Sequence, residues 1–256
     1  MLSIAIAVYN EEKNIGKCLE SVNNWAGEII VVDGGSSDKT IDIAKQFTDK
    51  IIITDNPPIF HLNKQKALDA CKGDWILQLD ADEIVNQLLK NEIDKVVNET
   101  GINGYYLPRK NYFLGHWLQK GGQYPDWVIR LFRNGKGKFP CKNVHEQIVI
   151  EGEIGYLQSP LMHYPYRTLS EYWTKAKRYS LLVTANLKNQ HHNLLIEITN
   201  YLFLKPSITF FSIFLRHLGF YDGIFGFLFA FLSAIQSPLA LIYFLKHKIY
   251  GSSIKH

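Results

Sequence analysis

The sequence predicts an α/β fold, a mostly parallel sheet with helices on both faces, followed by an apolar helical tail. Three observations carry that prediction. Four near-continuous apolar runs of strand length lie within the first eighty or so residues, apolar residues recur at helical spacing between them, and the composition changes near residue 189.

The first run, Leu2-Ser3-Ile4-Ala5-Ile6-Ala7-Val8, is stopped by Tyr9-Asn10-Glu11-Glu12, after which Ile15, Cys18, Leu19 and Val22 mark one helix face. A strand that begins at Leu2 leaves no stretch that reads as a secretory leader. The second run, Glu28–Val32, ends in Asp33-Gly34-Gly35-Ser36-Ser37-Asp38. Its glycines permit a tight turn, and Ser37 or Asp38 can cap a helix through Thr40, Ile43, Ala44 and Phe47. The third run, Lys50–Thr54, precedes a polar stretch and a helix expected over Lys64–Cys71. After the turn Lys72-Gly73-Asp74 comes the fourth run, Trp75–Leu79.

That fourth run ends in Asp80-Ala81-Asp82. Residues i and i+2 of a strand share a face, and the C-terminal edge of an open α/β sheet is where ligands bind. Two carboxylates there suit Mg²⁺ or Mn²⁺, hard cations that keep several waters and complete their shell with substrate phosphates. The competing reading is a solvated strand end.

Lys and Arg number 28 against 24 Asp and Glu, a formal charge of +4. The excess lies in the tail, where Lys205, Arg216, Lys246, Lys248 and Lys255 face a single acid, Asp222. These cations are interleaved with aromatic and aliphatic residues, a pattern that argues against nucleic acid as a partner. Gly223–Leu245 carries no charged side chain and is just long enough for a hydrocarbon core of about 30 Å. Pro238 is expected to kink it into two shorter segments, which favours an in-plane or re-entrant tail over a crossing. Arg216, His217, Lys246 and Lys248 would then meet headgroups, with Tyr243 and Tyr250 at the interface. Two regions follow: residues 1–188 as the catalytic domain and 189–256 as the membrane-associated region, joined at Lys188–Asn193. The three cysteines, Cys18, Cys71 and Cys141, lack metal-ligand spacing and read as reduced thiols.

The segments A-V-Y-N-E-E-K-N, V-V-D-G-G-S-S-D-K-T and A-L-D-A-C-K-G-D-W-I-L-Q-L-D-A-D-E, in that order, resemble the inverting glycosyltransferases of family 2, which have the GT-A fold and use nucleotide-diphospho sugars. The later segments Pro125–Arg133 and Val144-His145-Glu146 are similar to the lipopolysaccharide core glucosyltransferase branch. The resemblance spans roughly residues 1–178. It implies that Ala7, Tyr9 and Glu11 surround the nucleoside, that Asp33 accepts a hydrogen bond from the base, usually uracil, and that Lys64 approaches the diphosphate. Gly34 stands where the family often has a second aspartate. Asp80 would approach the ribose or the cation, Asp82 would be the direct metal ligand, and His163 a further cation or phosphate contact. Glu83 is expected near these groups or exposed. Glu146 is the candidate base beneath the sugar, with Asp126 its competitor. Trp127, Arg130 and His145 are assigned to the acceptor, while Arg130 and Arg133 also fit a solvent-facing reading.

The implied reaction is a one-step displacement at the anomeric carbon with Mg²⁺ or Mn²⁺ as cofactor. A UDP-sugar would be the donor and a saccharide of an envelope glycan, such as lipopolysaccharide core, the acceptor. The expected place is the cytoplasmic face of the inner membrane, where nucleotide sugars are made. A polyprenyl-phosphate acceptor, favoured by the apolar tail, is the alternative. A non-catalytic, membrane-associated nucleotide-sugar-binding protein is the other.

Overall fold

Strands form where the apolar runs lie. In the computed structural model, which describes residues 1–98, 101–142, 146–188 and 194–250, β1 (Leu2–Val8), α1 (Ile15–Val22), β2 (Glu28–Asp33), α2 (Thr40–Ala44), β3 (Ile51–Ile53), α3 (His61–Asp69) and β4 (Trp75–Leu79) alternate in chain order. The strands pair in parallel as β3-β2-β1-β4. Alternation along them feeds two cores. Ile4, Ile6, Val8, Val31, Leu77 and Leu79 pack with Ile15, Leu19 and Val22 of α1, while Ala5, Ile30, Val32 and Ile76 pack with Ala67 and Leu68 of α3.

Helix α3 starts at His61, earlier than expected, because its first turn buries polar side chains rather than an apolar stripe. His61, Asn63 and Lys64 are all buried, and the His61 ring stacks on Phe139 at 4.8 Å. Lys64 is therefore an interior residue of a helix and not a surface residue at its start.

Beyond β4 the sheet becomes mostly antiparallel. The chain continues through β5 (Glu83–Ile84), α4 (Gln87–Val96), β6 (Ile102–Phe113), β7 (His116–Trp117), β8 (Asp126–Arg133), β9 (Gly137–Lys138), β10 (Val149–Ile150), β11 (Glu153–Tyr156) and β12 (Leu161–Tyr166). The main order is β3-β2-β1-β4-β8-β6-β12-β5, with β8 antiparallel to both β4 and β6 and β11 added in parallel to β6. Strand β5 pairs with β12, setting His163 opposite Glu83.

The chain divides into two compact units, Met1–Arg109 with Asp126–His163, and Lys110–Pro125 with Tyr164–His256. Compaction therefore groups α5 (Leu169–Lys188) with the apolar tail, and residues 189–193, where the linker was expected, lie outside the described residues. In the second unit, α6 (Leu194–Thr199) and α7 (Lys205–Phe211) join through π-helical turns into one long rod ending at Arg216. After a tight turn, α8 (Gly223–Tyr250) runs unbroken.

The expected break at Pro238 does not occur. Proline removes only the N–H that the Ala234 carbonyl would accept, a single bond of a long helix. Helix α5 packs against this part of α8, with Ser180 Oγ donating to the Gln236 carbonyl at 3.4 Å and Thr184 Oγ1 to the Ala240 carbonyl at 3.1 Å, on either side of Pro238. Two stretches, Leu195–Arg216 and Gly219–Lys246, are long and apolar enough to cross a membrane.

Candidate active site

The site is built at the C-terminal ends of three adjacent strands. Register places Val8 beside Asp33 and Ile6 beside Leu79, so the chain exits β2, β1 and β4 side by side at Asp33, Tyr9 and Asp80. The first two exits are strapped together. Asn10, in the left-handed region at φ 54°, donates its own N–H to Ser36 Oγ at 2.8 Å and accepts the Ser37 N–H on Oδ1 at 2.8 Å. The Glu11 N–H donates to Thr40 Oγ1, and the Glu11 carboxylate accepts from Asn14 Nδ2. Ala7 is half-buried and Tyr9 exposed.

Asp33 is wholly buried. Its Oδ2 accepts the N–H groups of Gly35 and Ser36 at 2.9 and 2.8 Å, and its Oδ1 accepts Ser36 Oγ at 2.6 Å. The carboxylate thus shapes its own turn, as its residue type at a strand end also predicted.

Asp80 is held between two cations. Lys64 Nζ lies 2.5 Å from Oδ1 and Arg130 Nη2 2.6 Å from Oδ2, with Gln78 Nε2 donating to Oδ1 at 3.2 Å. Burial alone would push this carboxyl up. Arg130 and Lys64 outweigh it and hold Asp80 well below the usual carboxylate range. Lys64 Nζ also sits over the rings of Phe60 and Phe139, at 5.1 and 5.9 Å.

Glu83, fully buried, is the pivot beneath the pair. Its Oε1 accepts Arg130 Nη2 at 2.8 Å and Arg109 Nη1 at 3.4 Å, and its Oε2 accepts the Asp80 N–H at 2.9 Å. Arg130 completes its set with Gln78 Oε1 at 2.5 Å. Arg109 in turn grips Asp126 Oδ2 through Nε and Nη2 at 2.9 and 2.6 Å. Burial pulls both guanidinium groups down, but the carboxylates win and raise them above their ordinary values. A chain of alternating charge runs Lys64–Asp80–Arg130–Glu83–Arg109–Asp126 across the ends of β4, β8 and β6.

The two aspartates of the D-x-D triplet therefore have different surroundings. Asp82 Oδ1 lies 3.5 Å from His163 Nε2, both side chains largely buried, because the β5–β12 pairing carries His163 back to the triplet. No group of three His, Cys, Asp or Glu side chains forms a ready metal cage among the described residues. A carboxylate oxygen facing an imidazole nitrogen is nonetheless a donor set that fits Mn²⁺ or Mg²⁺, since such ions need few protein ligands when substrate phosphates supply the rest.

The other expected residues are spread. Arg130 and Arg133 both engage protein groups: Arg130 holds Asp80, Glu83 and Gln78, and Arg133 lies over the Trp75 ring at 4.7 Å and donates to the Ile102 carbonyl at 3.0 Å. Trp127 packs edge-on to Tyr156 at 5.2 Å. Glu146 sits in the loop between β9 and β10, before the strand starts at Val149, where its carboxylate accepts the Lys142 N–H at 2.9 and 3.0 Å. His145 lies outside the described residues. Sequence reading missed Arg109, Gln78 and the central place of Glu83. The available signal was Arg130 within the apolar run Val128–Phe132, since a charge on a buried strand requires a partner.

A family model, glycosyl transferase family 2, matches residues 3–164. The lipopolysaccharide core biosynthesis glycosyltransferase LpsC of Rhizobium meliloti (strain 1021) is 30% identical over 259 residues, covering 92% of this chain and 91% of LpsC. Glycosyltransferase SunS of Bacillus phage SPbeta is 36% identical over 152 residues, 57% of this chain and 34% of SunS. Among solved structures, S. aureus TarS 1-349 in complex with UDP-GlcNAc aligns with a TM-score of 0.48 at 16% identity, over 92% of this chain and 81% of that one. The mixed α/β sheet is of the GT-A type that the motifs implied. The chain is a glycosyltransferase and belongs to glycosyl transferase family 2.

Proposed function

We propose that the chain moves a sugar, with inversion, from a UDP-sugar to a saccharide of an envelope glycan, lipopolysaccharide core being the class the LpsC relative suggests. The observation that carries this reading is the charged cluster at the β4 exit, where Lys64, Arg130 and the D-x-D triplet converge beside the Tyr9 and Asp33 turns. Asp82 and His163 would hold Mg²⁺ or Mn²⁺. Such an ion supplies Lewis-acid stabilisation to a departing diphosphate.

This chain's residues do the remainder. Lys64, released from Asp80 when the donor binds, turns its ammonium to a phosphate oxygen. Tyr9 and Asp33 border the nucleoside. Glu146 takes the proton of the acceptor hydroxyl as that oxygen bonds to the anomeric carbon and the carbon–oxygen bond to the β-phosphate breaks. Asp126, already gripped by Arg109, is the weaker base candidate.

The two long apolar stretches of the second unit, with aromatic side chains exposed, support attachment to a membrane, and we place it at the cytoplasmic face of the inner membrane, where nucleotide sugars are made, as a peripheral or re-entrant attachment. The same feature favours a second reading, a polyprenyl-phosphate acceptor. Purified protein incubated with a panel of nucleotide sugars and Mg²⁺ or Mn²⁺ tests the main reading. Cation-dependent turnover of one UDP-sugar, lost in both Asp82→Ala and Glu146→Gln but with donor binding kept in Glu146→Gln, is the expected result. Turnover unchanged by chelator would overturn the metal assignment. Transfer to polyprenyl phosphate but to no saccharide would select the second reading.

A further inference from the structure

The second unit is far more basic than the chain as a whole. Its residues carry twelve Lys and Arg against three Asp and Glu, leaving the first unit with sixteen against twenty-one. On α5, Lys175, Lys177 and Arg178 stand within two turns of the exposed aromatics Trp173 and Tyr179. Aromatic rings with polar tips beside long cationic side chains are the composition of a helix at a headgroup layer.

The apolar helices show a separate, continuous surface. Leu204, Ile208, Phe211 and Leu215 are each at least half exposed and recur at spacings of four, three and four. Ile224, Phe227 and Phe231 repeat the pattern on α8. The two stripes meet through Phe210, whose ring touches Phe211 at 5.6 Å and Phe227 at 5.8 Å, and Phe227 stacks on Phe231 at 6.0 Å. Both stripes extend along the helices and are not confined to one end.

The level of α5 against α8 decides how this surface can meet lipid. Tyr172 accepts Gln236 Nε2 at 2.7 Å, Ser180 reaches the Gln236 carbonyl and Thr184 the Ala240 carbonyl, so α5 runs alongside α8 in the same direction. The uncharged stretch Gly223–Leu245 is centred on Ala234. Lys177 and Arg178, both exposed, lie between Tyr172 and Ser180 and hence beside that centre. If α8 crossed a bilayer, these two cations would sit at mid-depth in hydrocarbon, where insertion is penalised most and neither interface is within easy reach.

We propose that the second unit docks on an anionic phospholipid bilayer as an in-plane platform that does not cross it. The stripes containing Phe211, Phe227 and Phe231 enter the acyl boundary, and Lys175, Lys177 and Arg178 bind lipid phosphates at the headgroup level. This rests on the membrane attachment proposed above and specifies its geometry and lipid chemistry.

The test uses the full chain with phosphatidylethanolamine–phosphatidylglycerol vesicles and with phosphatidylcholine vesicles. Sedimentation should show strong binding to the first and weak binding to the second. The double variant Lys177→Gln/Arg178→Gln should lose roughly thirtyfold in affinity for the anionic vesicles, about fivefold per cation, and little for the neutral ones. In a Cys141→Ser background, Lys120→Cys, Lys177→Cys and Lys246→Cys should all react with an impermeant maleimide added on the side from which the protein bound. Protection of Lys246→Cys until detergent is added would overturn the in-plane geometry while leaving membrane attachment intact. A chain that binds neither vesicle would overturn both, and a stable vesicle-indifferent dimer would assign the aromatic surface to a second copy.

Discussion

Replacing Arg130 with methionine tests whether the charged chain beneath the D-x-D triplet is a single unit. The side chain is 9% exposed, and its guanidinium serves Asp80 at 2.6 Å, Glu83 at 2.8 Å and Gln78 at 2.5 Å. Methionine fills much of the same space but leaves two carboxylates short of their main cation. Removing one partner of a buried pair costs about 3–5 kcal/mol, mostly because the remaining charge is stranded, whereas replacing both partners by apolar groups is often neutral. Arg130→Met should therefore destabilise by about 3–5 kcal/mol, and Arg130→Met/Glu83→Leu by clearly less than the sum of the single changes.

The pH dependence has a definite sign. A carboxyl held below its unfolded value contributes stability that is present above that value and lost as pH falls through the folded one. Asp80 is such a group, so the variant's deficit should be full at neutral pH and shrink on acidification below the ordinary Asp range. Urea denaturation of wild type, both single variants and the double variant across this range measures it. A loss below about 1 kcal/mol for Arg130→Met, or strict additivity in the double variant, would refute the reasoning.

Glu28→Gln should cost about 3 kcal/mol near neutrality, since the Glu28 carboxyl, despite burial, is brought from the ordinary 4.5 to about 2 by Lys50, Ser3 and the Lys72 N–H; the deficit should fade between those values on acid titration. Lys64→Met should weaken UDP binding by about tenfold by calorimetry, the size of one charge-assisted hydrogen bond. Asp82→Asn should abolish Mn²⁺ binding seen by electron paramagnetic resonance with little loss of stability, while Asp80→Asn should lower the melting temperature by stranding Lys64 and Arg130. Glu146→Gln should lower transfer more than a hundredfold with donor affinity kept, the scale of a lost general base, and Asp126→Asn should instead reduce stability through Arg109.

Strands β1, β2 and β4 were legible because each is buried on both faces and so reads as an unbroken apolar run, and the edge strand β3, though partly exposed, is a run of three isoleucines. The start of α3 was not, because His61, Asn63 and Lys64 are interior polar residues fixed by Phe60, Phe139 and Asp80, partners that no local period reveals. The D-x-D triplet could be read from its position at a strand exit, but the split in its surroundings could not. His163 reaches Asp82 only through the β5–β12 pairing, which joins segments some eighty residues apart. Pro238 was read by a rule for isolated helices, and the hydroxyls of Ser180 and Thr184 that flank it come from another helix. Local chemistry was visible in the sequence, then, and cross-strand chemistry was not.

The charges favour the proposal that the second aspartate is the metal ligand. Asp80, Glu83 and Asp126 meet Lys64, Arg130 and Arg109 at separations of 2.5–3.4 Å, so three carboxylates are matched by three permanent cations. An ion approaching Asp80 must displace Lys64 or Arg130 and desolvate again what they already neutralise. Asp82 faces an imidazole at 3.5 Å, which is itself a metal donor when neutral. Counted with Asp82, this set holds four carboxylates, Asp80, Asp82, Glu83 and Asp126, and three permanent cations. Adding a divalent ion there turns a net charge of one minus into one plus, the sign a diphosphate requires. The same accounting favours Lys64 as the cation that would turn to the donor: it holds one carboxylate oxygen of Asp80, whereas Arg130 is tied to three side chains and would keep Asp80 ionised if Lys64 left.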